Sequence, residues 1–150
     1  MEIISGDILE SDKDFIAHQC NCVSKSGLGL AKSLFDKFPN ANTYKNRQRA
    51  SIPGTIEFFP IRDSKQFIVN IYAQFVPGKN YNEPRLEWFQ QSLNSFSDIV
   101  GKRQVSLALP YKIGCGLAGG DWNRYFNVID TFSRKHPNIQ VTLYKKDSNE

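Results

Sequence analysis

Two glycine-rich segments are the parts of this chain best suited to carry chemistry. The first runs from Asn21 to Ala31 and reads NCVSKSGLGLA, and the second runs from Ile113 to Trp122 and reads IGCGLAGGDW. Each follows a short apolar run and precedes a segment with helical spacing, which predicts a loop between a strand and a helix. Glycine lets a backbone approach a ligand closely, and free N–H groups beside a helix N-terminus bind anions, above all phosphate. Two such loops predict a ligand with two phosphates.

Three polar residues, two of them inside these segments and one near the N-terminus, allow both a structural and a ligand-binding interpretation. Asp7 ends the first apolar run, where it could stabilise a turn or accept a hydrogen bond from the exocyclic amine of a base. Asn21 could be a turn residue or could hold a ribose hydroxyl with its amide. Asp121 could cap the third helix or orient a water molecule. The residue types alone leave each pair of interpretations open.

The spacing of His18, Cys20 and Cys22 suggests zinc, because alternation along a strand places all three on one face. A CxC pair is poorer than CxxC for tetrahedral binding, and a fourth ligand could come only from Cys115 or the remote His136. We therefore expect no metal site and predict structural thiols with a hydrogen-bonded His18. The sequence also lacks the P-loop and Rossmann patterns, which disfavours nucleotide triphosphate hydrolysis and dinucleotide redox chemistry.

The elements that must hold these segments alternate along the chain. Six β-rich runs predict strands, from Ile3 to Ile4, Phe15 to Gln19, Thr55 to Phe59, Phe67 to Ala73, Val105 to Leu109 and Val141 to Tyr144. Helical spacing predicts helices from Leu30 to Phe38 before Pro39, from Leu86 to Val100 before Gly101 and from Trp122 to Phe132, with a weaker one from Ala41 to Arg49. This alternation indicates a mixed or mostly parallel sheet that binds ligands at the carboxyl ends of its strands.

The size and composition are those of an ordinary globular chain. We expect the 150 residues to form one domain, 1–150, and the 40% hydrophobic content is too high for a disordered protein. The net charge of +4 comes from scattered residues rather than a basic stripe with interleaved aromatics, so nucleic acid is not an expected partner. We expect no membrane span and no signal peptide, and three cysteines suit a reducing cytosol. The polar tail from Lys145 to Glu150 is predicted to fray.

Taken together, these segments resemble the macrodomain family. The matching pieces are GDIL (6–9), IAHQCNC followed by GLGLA (16–31), VNIYAQ (69–74), LPYKIGCGLAGGDW (109–122) and a closing VTLYK (141–145). Their joint order and spacing are specific. The IGCGL piece and the short length resemble one branch of the family, which includes the ADP-ribose 1″-phosphate phosphatases and the terminal ADP-ribose protein glycohydrolase.

The resemblance implies an α/β fold, a three-layer α/β/α sandwich with a mixed, mostly parallel six-stranded sheet and a cleft for ADP-ribose. It also implies which residues contact that ligand. They are Asp7 and Ile8 at the adenine, Tyr144 beside it, Asn21 at the distal ribose, Gly27, Leu28 and Gly29 at the phosphate nearer that ribose, and Gly114, Cys115, Gly116, Leu117 and Ala118 around the other side of the diphosphate.

The sequence departs from the glycohydrolase pattern at two positions. That enzyme uses a Lys after its central strand and an Asp directly after IGCGL, where this chain has Gln74 and Ala118. Gln forms no covalent lysyl adduct and Ala is no base, so glycohydrolysis by that route is not expected. The phosphatases of the branch share the HxCNC-like segment and the GLAGGDW loop.

The resemblance therefore implies hydrolysis of ADP-ribose 1″-phosphate to ADP-ribose and phosphate, with low turnover and no cofactor. Asp121, or else His18, would act on the water, while Asn21 and Gln74 would fix the ribose and the phosphate. Two alternatives stay open, a non-catalytic ADP-ribose reader and a hydrolase that removes ADP-ribose from macromolecules by a water-based route. The expected partners are small ADP-ribose derivatives and ADP-ribosylated protein. We expect a monomer in the cytoplasm, or in the nucleus if the source is eukaryotic.

Overall fold

A six-stranded sheet lies at the centre of the computed structural model, which describes residues 1–146. Its strands are β1 (Glu2–Ser5), β2 (Phe15–Cys20), β3 (Ile56–Pro60), β4 (Phe67–Tyr72), β5 (Val105–Pro110) and β6 (Ile139–Lys145). Their order across the sheet is β1-β6-β5-β2-β4-β3, and every neighbouring pair is parallel except β3 with β4. The predicted strands and the mostly parallel mixed sheet are confirmed.

Three α-helices cover the two faces of this sheet. They are α1 (Gly29–Lys37), α2 (Arg85–Val100) and α3 (Trp122–Lys135). Side chains alternate across each strand, so Ala17 of β2 packs in one core with residues of α2 and α3, and Ile16 packs in a second core with residues of α1. Because helices cover both faces, the central strands are apolar on both sides. The three-layer α/β/α architecture is confirmed.

The weaker helix predicted from Ala41 to Arg49 is wrong. Only a short 3-10 turn forms there, at Pro39–Ala41. The Asn42 side chain accepts hydrogen bonds from the N–H groups of Tyr44 and Lys45, both at 3.1 Å. Asparagine competes in this way with the helical hydrogen-bond pattern, which explains why this polar, Asn-rich segment turns instead of coiling into a helix.

The parallel strands place both glycine segments at the same edge of the sheet. The first loop follows β2 and the second follows β5, and these two strands are neighbours. The loops lie so close that a Cβ on Gly29 would be 3.4 Å from Leu117 Cδ1. Of the tail predicted to fray, Lys145 ends β6, and residues 147–150 lie outside the described residues. In the part of the chain that is described, no helix is long and apolar enough to cross a membrane.

Candidate ligand-binding site

A cavity of about 490 Å³ opens between the two glycine segments. One wall comes from the first loop and the start of α1, and the opposite wall comes from the second loop. Residues that follow β4, among them Gln74 and Gly78, complete the lining. A volume of this size lies within the range of roughly 300–1,000 Å³ usual for small-molecule sites.

The second loop presents a row of free backbone donors to this cavity. Within residues 1–146, no acceptor takes a hydrogen bond from the N–H groups of four lining residues, Gly114, Gly116, Leu117 and Ala118. The intervening Cys115 N–H is turned inward and donates to Lys112 O at 3.0 Å. These N–H groups have no acceptor among the described residues, and a negatively charged ligand in the cavity would supply one.

The first loop presents a similar row at the start of α1. Leu28 is the N-cap of this helix and makes no side-chain cap hydrogen bond. Among the described residues, no acceptor pairs with the N–H groups of the cavity-lining residues Ser26, Leu28, Gly29, Leu30 and Ala31. Gly27 lies behind them, so close to α1 that a Cβ would be 2.9 Å from Lys32 N. The helix dipole adds a partial positive charge at the same place.

Gly114 shows why the second loop needs glycine. Its φ of 75° lies in the left-handed region, and a Cβ there would be 2.7 Å from the Tyr125 ring. Tyr125 is buried in α3, and its hydroxyl donates to Gln19 Oε1 at 3.3 Å. Tight packing of α3 and β2 against the loop therefore holds its free N–H groups in place.

An ion pair that the sequence analysis did not identify ties this loop to the chain after β4. Arg85 is 9% exposed at its side chain, Glu83 is 12% exposed, and Arg85 Nε lies 2.8 Å from Glu83 Oε1. Arg85 Nη1 donates to Gly78 O at 2.7 Å and to Ala118 O at 3.2 Å. Burial opposes ionisation of Glu83, but Arg85 and two backbone N–H groups hold its pKa below the ordinary value. The pair thus positions two walls of the cavity.

Asn21 lies in the cavity wall, as proposed, and its side chain also makes a turn. Its Oδ1 accepts from the N–H groups of Val23 at 3.1 Å and Ser24 at 2.8 Å. The turn interpretation is confirmed. Its Nδ2 makes no hydrogen bond to the described residues, so that donor stays available for a ligand hydroxyl.

Gln74 also lines the cavity, but both ends of its amide are engaged. Its Oε1 accepts from Gln19 Nε2 at 2.8 Å, and its Nε2 donates to Val76 O at 3.1 Å. The Gln74 amide nitrogen carries two N–H groups, and only one of them donates to Val76 O, so the second is left for a ligand. The arrangement favours a role in holding the cavity floor.

His18 contributes to the cavity lining and is only 1% exposed. Asn70 Nδ2 donates to Ala41 O at 2.9 Å, which leaves Oδ1 to face His18 Nε2 at 2.7 Å. His18 Nε2 therefore carries the proton and Nδ1 does not. Burial lowers the pKa of His18 to about 4, although the bond to Asn70 acts in the opposite direction. The predicted hydrogen-bonded His18 is confirmed.

The two cysteines nearest His18 are free thiols in the same core. Cys20 Sγ lies 3.3 Å from His18 Nε2, and Cys20 and Cys22 are buried. Burial raises the pKa of the Cys22 thiol to about 11. Among residues 1–146, no group of three or more His, Cys, Asp or Glu is arranged to hold a metal ion.

The pKa of His18 predicts a pH dependence of stability. The unfolded chain binds a proton at His18 near pH 6.5, whereas the folded protein binds it near pH 4, so the free energy of unfolding falls as the pH falls through this window. We expect a loss of about 2–3 kcal/mol at His18 between pH 7 and pH 4.5. Urea unfolding at both pH values should show this loss in wild type and in His136→Gln, but not in His18→Gln. An equal loss in His18→Gln would contradict the assignment.

Several residues implied by the resemblance do not line the cavity. Asp121 caps α3 and accepts from Asn123 N–H at 3.0 Å, so its N-cap interpretation is confirmed. Its absence from the cavity wall does not favour a role in activating water there. Cys115 is half-buried and its thiol points to Ile113 O at 3.3 Å.

Of the residues expected at the adenine, Asp7 and Ile8 follow β1, and Tyr144 lies near the end of β6, which is the neighbour of β5. Asp7 accepts from Leu9 N–H at 3.0 Å, which confirms its turn interpretation. Ile8 and Tyr144 are buried in the core beside α1, and the Tyr144 hydroxyl accepts from Ser11 Oγ at 2.8 Å. None of these three described residues lines the cavity wall.

The aromatic side chain that does line this end of the cavity is Tyr111, directly after β5. Trp122 lies 5.0 Å from its ring and Lys145 Nζ lies 5.0 Å from it. The next residue, Lys112, also lines the cavity. Both stand in the quoted LPYKIGCG segment, where their position between a strand and a glycine loop was the available signal.

Comparisons with known sequences find a relative that spans most of this chain. No protein-family model matches the sequence. The chain is 30% identical over 145 residues to an uncharacterized 17.5 kDa protein from the tk-vs intergenic region of Enterobacteria phage T4, which covers 90% of this chain and 91% of that protein.

Solved macrodomain structures superimpose on nearly the whole chain. The macrodomain of Mycobacterium tuberculosis DarG gives a TM-score of 0.75 at 20% identity and covers 95% of each chain. Thermosipho africanus DarTG in complex with ADP-ribose gives 0.74 at 20% identity and covers 99% of this chain and 42% of that one. The chain therefore has the macrodomain fold and belongs to the same family as the 17.5 kDa protein of phage T4.

Proposed function

We propose that the cavity binds ADP-ribose, with the diphosphate held between the two glycine loops. The observation that carries this proposal is the pair of rows of unpaired N–H groups that line one cavity, at Ser26 and 28–31 and at Gly114 and 116–118. A diphosphate supplies both the negative charge and the acceptor oxygens that such rows require. The Thermosipho protein of the same fold was solved with ADP-ribose, which supports the choice of ligand.

The order of the strands supports one orientation of the proposed ligand. Asn21 follows β2 and Gln74 lies just beyond β4, while Tyr111 follows β5 on the side of β6. A ligand whose diphosphate lies between the loops after β2 and β5 would have its distal ribose toward Asn21 and its adenosine toward Tyr111. In this orientation Asn21 Nδ2 would donate to a hydroxyl of the distal ribose.

We further propose slow hydrolysis of the 1″-phosphate, with His18 rather than Asp121 as the base. In this step the water oxygen bonds to phosphorus, and the bond from phosphorus to the 1″ oxygen breaks. The water proton passes to His18 Nδ1 and then to the leaving oxygen. Among the described residues that line the cavity there is no carboxylate, and His18 is neutral near pH 7. A base with a pKa near 4 is weak, so we expect low turnover.

Calorimetry combined with a phosphate-release assay tests both proposals. We expect wild type to bind ADP-ribose, and AMP, which has one phosphate, to bind about 100-fold more weakly. Asn21→Ala should reduce ADP-ribose affinity by about tenfold. His18→Gln should keep the affinity and lose phosphate release from ADP-ribose 1″-phosphate.

The outcomes distinguish the phosphatase from the non-catalytic reader and from the hydrolase that acts on ADP-ribosylated macromolecules. Binding without phosphate release would favour a reader, and release of ADP-ribose from modified protein would favour the macromolecular hydrolase. Failure of wild type to bind ADP-ribose at millimolar concentration would contradict all three.

A further inference from the structure

Within residues 1–146, a single positively charged side chain lines the cavity. Lys112 is the one Lys, Arg, Asp or Glu among the described residues that line the cavity. The other lining residues offer backbone N–H groups, hydroxyls, amides and apolar surface. The two N–H rows supply only partial charges, whereas a diphosphate carries full negative charges, so Lys112 holds the one formal counter-charge on this wall.

The backbone of Lys112 is strained. Its φ of 63° lies in the left-handed region, which costs an L side chain energy and which Gly or Asn adopts more readily. The turn around it is held by hydrogen bonds from Ile113 N–H to Pro110 O at 3.1 Å and from Cys115 N–H to Lys112 O at 3.0 Å. These hydrogen bonds hold the left-handed backbone at Lys112, because lysine itself does not favour that conformation. Strain of this kind is concentrated at functional sites.

The Lys112 ammonium is also available for a ligand. Lys112 is exposed, and within residues 1–146 no carboxylate forms an ion pair with it. It follows β5 directly and stands two residues before Gly114, the first free N–H of the second row. It therefore stands beside the second loop, which would face the diphosphate of the proposed ligand.

We propose that Lys112 is a specificity-determining residue whose ammonium pairs with the diphosphate, so that the cavity selects ligands by their negative charge. This inference rests on the proposed binding of ADP-ribose. It adds a side-chain contact, sensitive to salt, to a site otherwise built from backbone donors.

Titrations of ADP-ribose at low and high salt test the pairing. At about 50 mM NaCl we expect Lys112→Gln to bind about tenfold more weakly than wild type, and at about 300 mM NaCl the difference should shrink to about threefold. Lys112→Arg should stay within about threefold of wild type at both concentrations. The matched control is Lys102→Gln, which removes one exposed charge in the turn after α2, ahead of β5, and should bind like wild type.

A further variant separates a binding role from a structural one. Lys112→Asn removes the charge and also tolerates the left-handed backbone, so its melting temperature should equal or slightly exceed that of wild type while its affinity falls as in Lys112→Gln. Wild-type affinity in Lys112→Gln at low salt would overturn this inference alone. Failure of wild type itself to bind ADP-ribose would overturn the proposed function and this inference together.

Discussion

Replacing Gly116 by Asp is expected to weaken ADP-ribose binding by about 100-fold or more and to leave the melting temperature unchanged. Gly116 lines the cavity, a Cβ on it would meet nothing within 4 Å, and its backbone is not left-handed. The fold therefore has room for the new side chain. A carboxylate about 4 Å from a phosphate, at an effective dielectric constant of about 20, costs about 4 kcal/mol, which is more than 100-fold in affinity.

The control for this variant is Gly116→Asn, which has nearly the same shape and no charge. We expect Gly116→Asn to retain most of the affinity and Gly116→Asp to lose it, as measured by calorimetry with ADP-ribose. Equal affinities in the two variants would show that the second loop does not face the diphosphate.

The second large effect is expected at the ion pair that joins two walls of the cavity. We predict that Arg85→Met lowers the free energy of unfolding by about 3–5 kcal/mol, because it leaves the Glu83 carboxylate without its partner in a largely buried place. The carbonyls of Gly78 and Ala118 lose the Arg85 donor as well, and the carbonyl of Val76 keeps only its bond from Gln74. Urea unfolding at neutral pH measures the loss.

Two further variants show whether the burial of the ion pair causes the loss of stability in Arg85→Met. Glu83→Met combined with Arg85→Met should recover part of the stability lost in Arg85→Met, since no unpaired charge remains. Arg134→Met breaks an ion pair with Asp130 in which Arg134 is 80% exposed, and it should cost less than about 1 kcal/mol. A loss at Arg85 no larger than that at Arg134 would contradict the positioning role.

Local sequence patterns were sufficient to predict most of the fold. The run Phe67-Ile68-Val69 predicted a strand covered on both faces, and β4 lies inside the sheet. The apolar spacing from Leu86 to Val100 predicted α2 almost to the residue. The helix predicted after Ala41 was wrong because the few apolar residues there share helical spacing, while the Asn42 side chain accepts hydrogen bonds that turn the backbone.

The candidate site was predictable where it depends on backbone and not where it depends on distant side chains. The two glycine segments were recognised from composition, and parallel strands bring such loops to one edge. In contrast, Arg85 reaches Ala118 across 33 residues of sequence, and no local pattern reports such a contact. For Asp121 the sequence left two interpretations open, and the structure confirms the helix cap, while the catalytic role stays a prediction.

The backbone amide resonances of isotope-labelled protein, followed by nuclear magnetic resonance during titration with ADP-ribose, test the central claim most directly. If one diphosphate engages both rows of free N–H groups, the resonances of 28–31 and 116–118 shift together, with the same midpoint, while those in the middle of β4 stay in place. Unchanged resonances in either loop at millimolar ADP-ribose would contradict the account.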